Sequence, residues 1–181
     1  MTATIQTFAV PTRDSVSETN QAIFDKLKGS VGFVPNLYAT LAHSETALRD
    51  YLTFQSRPSS LSLKEREVIN LVVSQVNECN YCLAAHTILG QKAGFTEQQT
   101  IKIRRGDLLG DDTLDVLAKF VRSVVTNLGR VDNADRVAIF TAGYTEGKIV
   151  DIIMSIGDKI ITNYLHKFTD VPVDFPIAPA I

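Results

Sequence analysis

The chain has 181 residues, 45% of them hydrophobic, which is enough for one domain with its own core and too short for two ordinary domains. Lys and Arg number 18 and Asp and Glu 20, a net charge of -2 without any block of like charge, which argues against nucleic-acid binding. No window approaches the ~20 apolar residues of a spanning helix, and no basic segment precedes an apolar run at the start. We therefore expect a single cytoplasmic domain over residues 1–181, without membrane or nucleic-acid partners.

Apolar residues recur every three or four positions throughout the chain and strict alternation is scarce, so the sequence predicts an all-α helical bundle. The predicted helices cover, approximately, residues 17–28, 35–41, 44–55, 63–76, 79–92, 96–104, 113–127, 133–141 and 145–167. Residues 29–34 are predicted to form a loop. The tail from Val171 contains Pro172, Pro176 and Pro179 and cannot be helical.

Local signals define the middle of the chain most clearly. Ser62 and Glu65 fit a capping box, in which each side chain satisfies a free N–H at the start of a helix. Asn77 and Glu78 are expected to turn the chain, so the helices before and after them form a central antiparallel hairpin. The last predicted helix is apolar on more than one side, which an interface between identical subunits would explain.

The two cysteines lie three residues apart, a spacing typical of chemistry rather than of a disulfide-stabilised secreted fold. On a helix, Cys79, Cys82 and His86 share one face, with Cβ atoms about 5–6 Å apart. The helix N-terminus and the imidazole should both lower a thiol pKa. We expect Cys82 to attack a peroxide oxygen and Cys79 to resolve the sulfenic acid as a disulfide. Glu67, on the preceding helix, would orient His86 or pass protons.

Glu67, eleven intervening residues, Cys79-x-x-Cys82, three more residues and His86 form a pattern that resembles the active site of the alkylhydroperoxidase D family, within the carboxymuconolactone decarboxylase superfamily. The resemblance covers roughly residues 35–105 and is greatest for the peroxidase-related branch. It implies an all-α homo-oligomer that reduces alkyl hydroperoxides or a partner peroxiredoxin with a dithiol recycled by lipoylated proteins. It also implies that Cys82 is the peroxidatic thiol, Cys79 the resolving thiol, and Glu67 and His86 the proton relay.

The resemblance has one departure and several further implications. The best-known members have a second histidine where this chain has Tyr81, and a phenol does not shuttle protons near neutral pH. Tyr81, Phe33 and Tyr38 are expected to line the substrate pocket. His43 and His166 have no partner pattern and are placed outside the site.

Other interpretations remain open at this point. The superfamily fold could perform decarboxylase-type proton chemistry with Glu67 and His86 and without thiols. The cysteines with His86 could instead bind zinc in an oligomeric interaction protein, or could be buried as small hydrophobic residues. No metal is assigned to the leading hypothesis. Because no nucleotide, flavin or haem signature accompanies the motif, we expect no cofactor, and an external dithiol or small thiol must supply electrons.

Overall fold

The computed structural model describes residues 8–181, and within that range it contains α-helices, a short 3-10 turn at Arg13–Ser15 and no strand. The predicted all-α class is thus confirmed. The α-helices are α1 (Glu18–Val31), α2 (Asn36–Leu41), α3 (Ala47–Gln55), α4 (Leu63–Val76), α5 (Asn80–Lys92), α6 (Glu97–Arg105), α7 (Asp112–Thr126), α8 (Asn133–Thr141) and α9 (Glu146–Thr169).

The capping box at the start of α4 forms as its sequence predicts. The Glu65 N–H donates to Ser62 Oγ at 3.2 Å, and the Ser62 N–H donates to Glu65 Oε2 at 2.7 Å. These two bonds satisfy N–H groups that have no partner inside the helix. They fix the first residue of α4 and therefore the direction in which its later side chains point.

The two largest differences between predicted and observed helix boundaries are three residues each. Helix α1 continues through Gly29 to Val31 and ends at Gly32, whose φ of 94° suits glycine. A single helical glycine costs only about 1 kcal/mol, so the predicted loop at 29–34 begins too early. Helix α3 begins at Ala47, because Thr46 rather than Ser44 occupies the N-cap.

The described residues divide into two compact units, and each is described by itself. The first comprises the described residues up to Pro58 together with Leu165–Asp174, and the second comprises Ser59–Tyr164 and Phe175–Ile181. The core of the first unit is built on Phe24, Ala39, Ala42 and Leu48. The prediction of one domain over residues 1–181 stays a prediction.

Helix α4 forms the middle of the second unit, where it packs against α5, α6 and α7. Several of its side chains are completely buried, as expected for a helix with neighbours on more than one side. The fully buried apolar side chains on α4 are Val68, Ile69, Leu71, Val72 and Val73. Glu67 immediately precedes these residues on α4. The close packing of its neighbours therefore fixes the position of its backbone.

Helix α9 buries polar residues beside the apolar Ile152 and Ile156, and it also exposes apolar residues, which an ordinary surface helix does not do. The buried polar residues of α9 within the second unit are Ser155, Asp158, Lys159, Thr162 and Asn163. Buried lysine and asparagine side chains are rare unless they are paired or serve a site. Among residues 8–181, no helix combines the length and hydropathy needed to span a membrane.

The C-terminal tail from Val171 contains no helix, in agreement with its prolines. Within the second unit, the Phe175 ring meets the Tyr81 ring edge-on at 5.5 Å between centroids. Arg104 is almost completely buried and donates from Nη1 to the Pro179 carbonyl at 2.6 Å. These contacts attach the end of the tail to α5 and α6.

Candidate active site

The connection between α4 and α5 places Cys79 at the N-cap of α5, one residue before the helix begins. Glu78 adopts a left-handed conformation with φ of 52°, which only a small fraction of residues other than glycine do. The Cys79 N–H then donates to the Ser74 carbonyl at 2.9 Å, and the Leu83 N–H donates to the Cys79 carbonyl at 2.9 Å. The helix predicted from Cys79 therefore starts one residue later, and Cys82 lies in its first turn.

The two thiols form no disulfide and are buried, and their pKa values are shifted in opposite directions. The thiol of Cys79 donates a hydrogen bond to the sulfur of Cys82, and this bond is the main cause that lowers the pKa of Cys82 to about 5. Burial opposes the effect, whereas Lys159, His86 and Asn163 reinforce it. The same hydrogen bond, together with burial, raises the pKa of Cys79 well above its usual value. Near neutral pH the pair consists of a Cys82 thiolate and a Cys79 thiol.

Glu67 and His86 form a direct contact between α4 and α5. His86 Nδ1 lies 2.8 Å from Glu67 Oε2, with both side chains about nine-tenths buried. The other carboxylate oxygen of Glu67 accepts a 3.0 Å hydrogen bond from Asn70 Nδ2. Burial raises the pKa of Glu67, but the combined effect of His86, Lys159 and Asn70 is larger and lowers the pKa below its usual value. The group is therefore a carboxylate at neutral pH. It can fix the orientation of the imidazole and accept its proton.

The sequence interpretation did not identify two polar residues of α9 that complete this cluster. Lys159 is only 3% exposed. The positive charge of its ammonium helps to lower the pKa of both thiols and of Glu67. Asn163, one turn later, hydrogen-bonds Cys82 and donates from Nδ2 to Ser74 Oγ at 3.3 Å. Its Oδ1 accepts a 3.0 Å hydrogen bond from Asn77 Nδ2. The sequence does contain a signal for these two residues, because polar residues recur three and four positions apart along an otherwise apolar helix. That spacing predicts a polar stripe on one side of α9.

The three predicted pocket residues fall in different parts of the chain. Tyr81 is 3% exposed and belongs to the second unit, as do the two cysteines. Phe33 and Tyr38 belong to the first unit, where the Tyr38 hydroxyl donates to Gln55 Oε1 at 2.8 Å. Their assignment to a substrate pocket stays a prediction.

The other histidines make contacts of their own. His43 Nε2 lies 2.8 Å from the Ala9 carbonyl, and His166 Nε2 lies 3.1 Å from the Val171 carbonyl near the end of α9. The zinc hypothesis required the cysteines, His86 and a fourth ligand to converge. Within the range that the structure describes, no group of three or more His, Cys, Asp or Glu residues is placed to hold a metal ion.

Comparison with known proteins agrees with this fold. Residues 40–109 match the model of the carboxymuconolactone decarboxylase family, a segment that contains Glu67, Cys79, Cys82 and His86. A peroxidase-related protein from Silicibacter sp. TM1040 is 25% identical, with a TM-score of 0.79 over 90% of this chain and 88% of that one. An alkylhydroperoxidase AhpD core protein from Ralstonia eutropha JMP134 is 20% identical, with a TM-score of 0.82 over 92% and 91% of the two chains.

A third solved structure with a similar fold belongs to a protein with a different activity. The debrominase Bmp8, in complex with 2,3,4-tribromopyrrole, is 12% identical, with a TM-score of 0.76 over 95% of this chain and 94% of that one. No protein with a curated description matches the sequence significantly.

The fold and the dithiol motif together define the class, an all-α protein of the alkylhydroperoxidase-like type. Residues 40–109 are similar to the carboxymuconolactone decarboxylase family, and the chain as a whole shares its fold with a peroxidase-related protein and an alkylhydroperoxidase AhpD core protein. The resemblance identified from the motif is confirmed at this level.

The charge state of Cys82 gives a pH-dependent prediction. Following the ultraviolet absorbance of thiolate during a pH titration should reveal one thiolate forming near pH 5, because Cys79 and Lys159 stabilise it. In Lys159→Met the step should move to higher pH, because the ammonium that stabilises the thiolate is gone. Lys148→Met is the matched control, since Lys148 also lies on α9 but pairs with Glu65 at 3.0 Å.

The Cys82→Ser variant assigns the titration step, which should disappear in that protein. A wild-type protein whose thiolate absorbance begins to rise only near pH 9 would show that the Cys82 thiol is not activated. An equal shift in Lys148→Met and Lys159→Met would show that the effect of Lys159 is not specific to the site.

Proposed function

We propose that the protein is a dithiol peroxidase that reduces organic hydroperoxides, with Cys82 as the attacking thiolate and Cys79 as the resolving thiol. The observation that carries the proposal is the unequal thiol pair, in which one sulfur donates a hydrogen bond to the other beside the Glu67–His86 contact of 2.8 Å. A thiolate with a lowered pKa and an adjacent second thiol is the arrangement that sulfenic-acid chemistry needs.

In the first step, the Cys82 thiolate attacks the terminal oxygen of a hydroperoxide ROOH. The O–O bond breaks, sulfur is oxidised to sulfenic acid, and the alkoxide leaves with the bonding electrons and takes up one proton to give ROH. His86, lying one turn beyond Cys82 on α5, is the group proposed to deliver that proton. Glu67 keeps the imidazole ring in place through its 2.8 Å contact with Nδ1.

In the second step, Cys79 attacks the Cys82 sulfenic acid, forming the disulfide and releasing water. Before oxidation, the hydrogen bond to Cys82 is the main cause that raises the pKa of Cys79. Oxidation of Cys82 removes the thiolate that accepts this bond, so Cys79 becomes easier to deprotonate when it is required to react. Only burial of the Cys79 side chain continues to raise its pKa.

The cycle closes when an external dithiol reduces the Cys79–Cys82 disulfide by exchange. That reductant gives up two electrons and two protons and becomes a disulfide itself. A protein dithiol or a small thiol meets this requirement chemically. The proposal assigns no resident cofactor, and its place of action is proposed to be the cytoplasm.

A comparison of electron donors tests the proposal. Purified protein is supplied with cumene hydroperoxide and, separately, with dihydrolipoamide, reduced thioredoxin or glutathione. We expect catalytic loss of peroxide with at least one dithiol donor, and none above background in Cys82→Ser. Peroxide loss that persists in Cys82→Ser would contradict the mechanism. The alternative is decarboxylase-type proton chemistry on a small carboxylated ring at Glu67 and His86. Decarboxylation that persists in the double variant Cys79→Ser, Cys82→Ser would favour that alternative.

A further inference from the structure

Polar side chains at the end of α4 form a chain of hydrogen bonds that reaches the sulfur of Cys82. Asn77, the C-cap residue of α4, donates from Nδ2 to Asn163 Oδ1 at 3.0 Å. Asn163 donates from Nδ2 to Ser74 Oγ at 3.3 Å and also hydrogen-bonds Cys82. All four residues belong to the second unit. The two asparagines therefore connect the turn before α5 with the attacking sulfur.

Both N–H groups and the oxygen of the Asn163 amide have partners. The side chain is 0% exposed, so the amide must find these partners within the protein. One N–H donates to Ser74 Oγ, and the oxygen accepts from Asn77. The second N–H is left for the Cys82 sulfur. This assignment agrees with the direction of the effect, because a donor stabilises the thiolate and lowers the pKa of Cys82.

Asn77 determines which end of the Asn163 amide faces the sulfur. Ser74 does not determine it, because a hydroxyl accepts from a nitrogen and donates to an oxygen equally well. Asn77 presents its amide nitrogen, which only donates, and so requires the Asn163 oxygen on its own side. The two amides could reverse only together. The reversed pair would place an oxygen against the Cys82 sulfur, where it would oppose ionisation of the thiol.

Two donors act on the Cys82 sulfur from different elements of the fold. The thiol of Cys79 donates from the N-cap of α5, and the amide of Asn163 donates from α9. A thiolate sulfur has three lone pairs, so the two donors leave one for attack on a peroxide. The titratable groups around the sulfur are Cys79 and His86 from α5, Lys159 from α9 and, through its contact with His86, Glu67 from α4.

We propose that Asn163 is a further catalytic residue, which donates a hydrogen bond to the Cys82 sulfur, and that Asn77 is a positioning residue, which acts on that sulfur through the orientation of Asn163. The catalytic part rests on the proposed peroxidase function, whereas the hydrogen bond is testable without peroxide. The proposal also accounts for a completely buried asparagine in a helix that is otherwise largely apolar.

Asn163→Leu tests the donor. Leucine branches at Cγ as asparagine does but has no N–H, so the thiolate loses one hydrogen bond. The thiolate step in an ultraviolet pH titration should move to higher pH by about 1–2 units, the value of a hydrogen bond to a charged group. Asn20→Leu is the matched control, because Asn20 is also 0% exposed and donates from Nδ2 to two backbone carbonyls in the first unit. It should lower stability and leave the step in place.

Asn77→Asp tests the positioning role. Aspartate keeps the shape of asparagine, but a carboxylate only accepts, so it should draw Nδ2 of Asn163 toward itself and turn Oδ1 toward Cys82. The thiolate step should then move to higher pH by about one unit or more. In the Asn163→Leu background the same substitution should shift the step by much less, because the amide through which it acts is absent.

Gln75→Glu is the control for added charge at the end of α4. It is also an amide-to-acid change, two residues before Asn77, and it keeps the oxygen that accepts from Arg104 Nε of α6 at 2.9 Å. Gln75 has no contact with Asn163 in the hydrogen-bonded chain. Gln75→Glu should therefore shift the thiolate step much less than Asn77→Asp does.

The reaction with peroxide supplies a second readout. In single-turnover reactions with cumene hydroperoxide, the acid limb of the pH–rate profile should move to higher pH in Asn163→Leu and Asn77→Asp, and in neither control. A purely structural defect would lower the rate at every pH instead. A wild-type protein that forms the thiolate near pH 5 but does not reduce peroxide would contradict the peroxidase function. The thiolate titration would still decide the role of the asparagines.

Several results would overturn the proposal. One is a folded Asn163→Leu protein with an unchanged thiolate step, and another is an equal shift in Asn20→Leu. An Asn77→Asp shift of the same size in both backgrounds, or one matched by Gln75→Glu, would show that Asn77 acts by charge alone. If Asn163→Leu does not fold, the comparison of Asn77→Asp with Gln75→Glu decides the question.

Discussion

Replacing Cys82 by serine should abolish reduction of an alkyl hydroperoxide, with a fall in rate on the order of 10³-fold or more, as expected for loss of an essential nucleophile. Serine keeps the shape of the side chain but is not ionised near neutral pH, so the attacking anion is lost. The measurement is the initial rate of cumene hydroperoxide consumption with a dithiol donor in excess.

Cys79→Ser is the informative partner of this variant. It should retain the first reaction with peroxide and accumulate a Cys82 sulfenic acid, which a dimedone probe detects by mass spectrometry. It should not turn over, because the resolving thiol is absent. If instead Cys82→Ser forms the dimedone adduct and Cys79→Ser does not, the two roles are reversed.

Glu67→Gln should lower kcat/KM for the hydroperoxide by about 100-fold, a typical contribution of positioned acid–base groups. The amide is nearly isosteric with the carboxylate but cannot accept a proton, and it removes the negative partner of His86 at 2.8 Å. The loss should appear in the peroxide step, measured by rapid mixing of reduced protein with peroxide.

Glu65→Gln is the matched control for that substitution. Glu65 lies two residues earlier on α4 and bonds to Lys148 at 3.0 Å and to the Ser62 N–H at 2.7 Å. Glutamine preserves the capping box, so α4 should keep its start. Glu65→Gln should therefore retain its peroxide rate. Equal losses in the two variants would mean that the effect arises from the stability of α4 and not from the relay.

Features that depend on residues close together in the chain could be predicted from the sequence. The capping box at Ser62 and Glu65 fixes the start of α4 because both of its hydrogen bonds span three residues. The spacing from Cys82 to His86 places both residues on α5 for the same reason. Glu67 is predicted to act on His86 because it lies on the preceding helix and because the motif resembles a known family, and the contact itself follows from how α4 packs against α5.

The missed features depend on residues that are distant along the chain. Lys159 and Asn163 act on a site whose cysteines lie about 80 residues earlier, and no local pattern specifies which helix will cover the thiols. The position of Cys79 at the N-cap depends on the left-handed conformation of Glu78, which sequence propensity disfavours. The continuation of α1 through Gly29 reflects the small cost of one helical glycine.

The central claim is that Cys79 and Cys82 form a redox pair, and a single-turnover measurement tests it most directly. Fully reduced protein is mixed with one equivalent of cumene hydroperoxide, and free thiols and disulfides are then quantified by titration and peptide mass spectrometry. We expect both free thiols to be lost and one disulfide within the chain, joining Cys79 to Cys82. Folded protein that keeps both thiols while the peroxide persists would contradict the account.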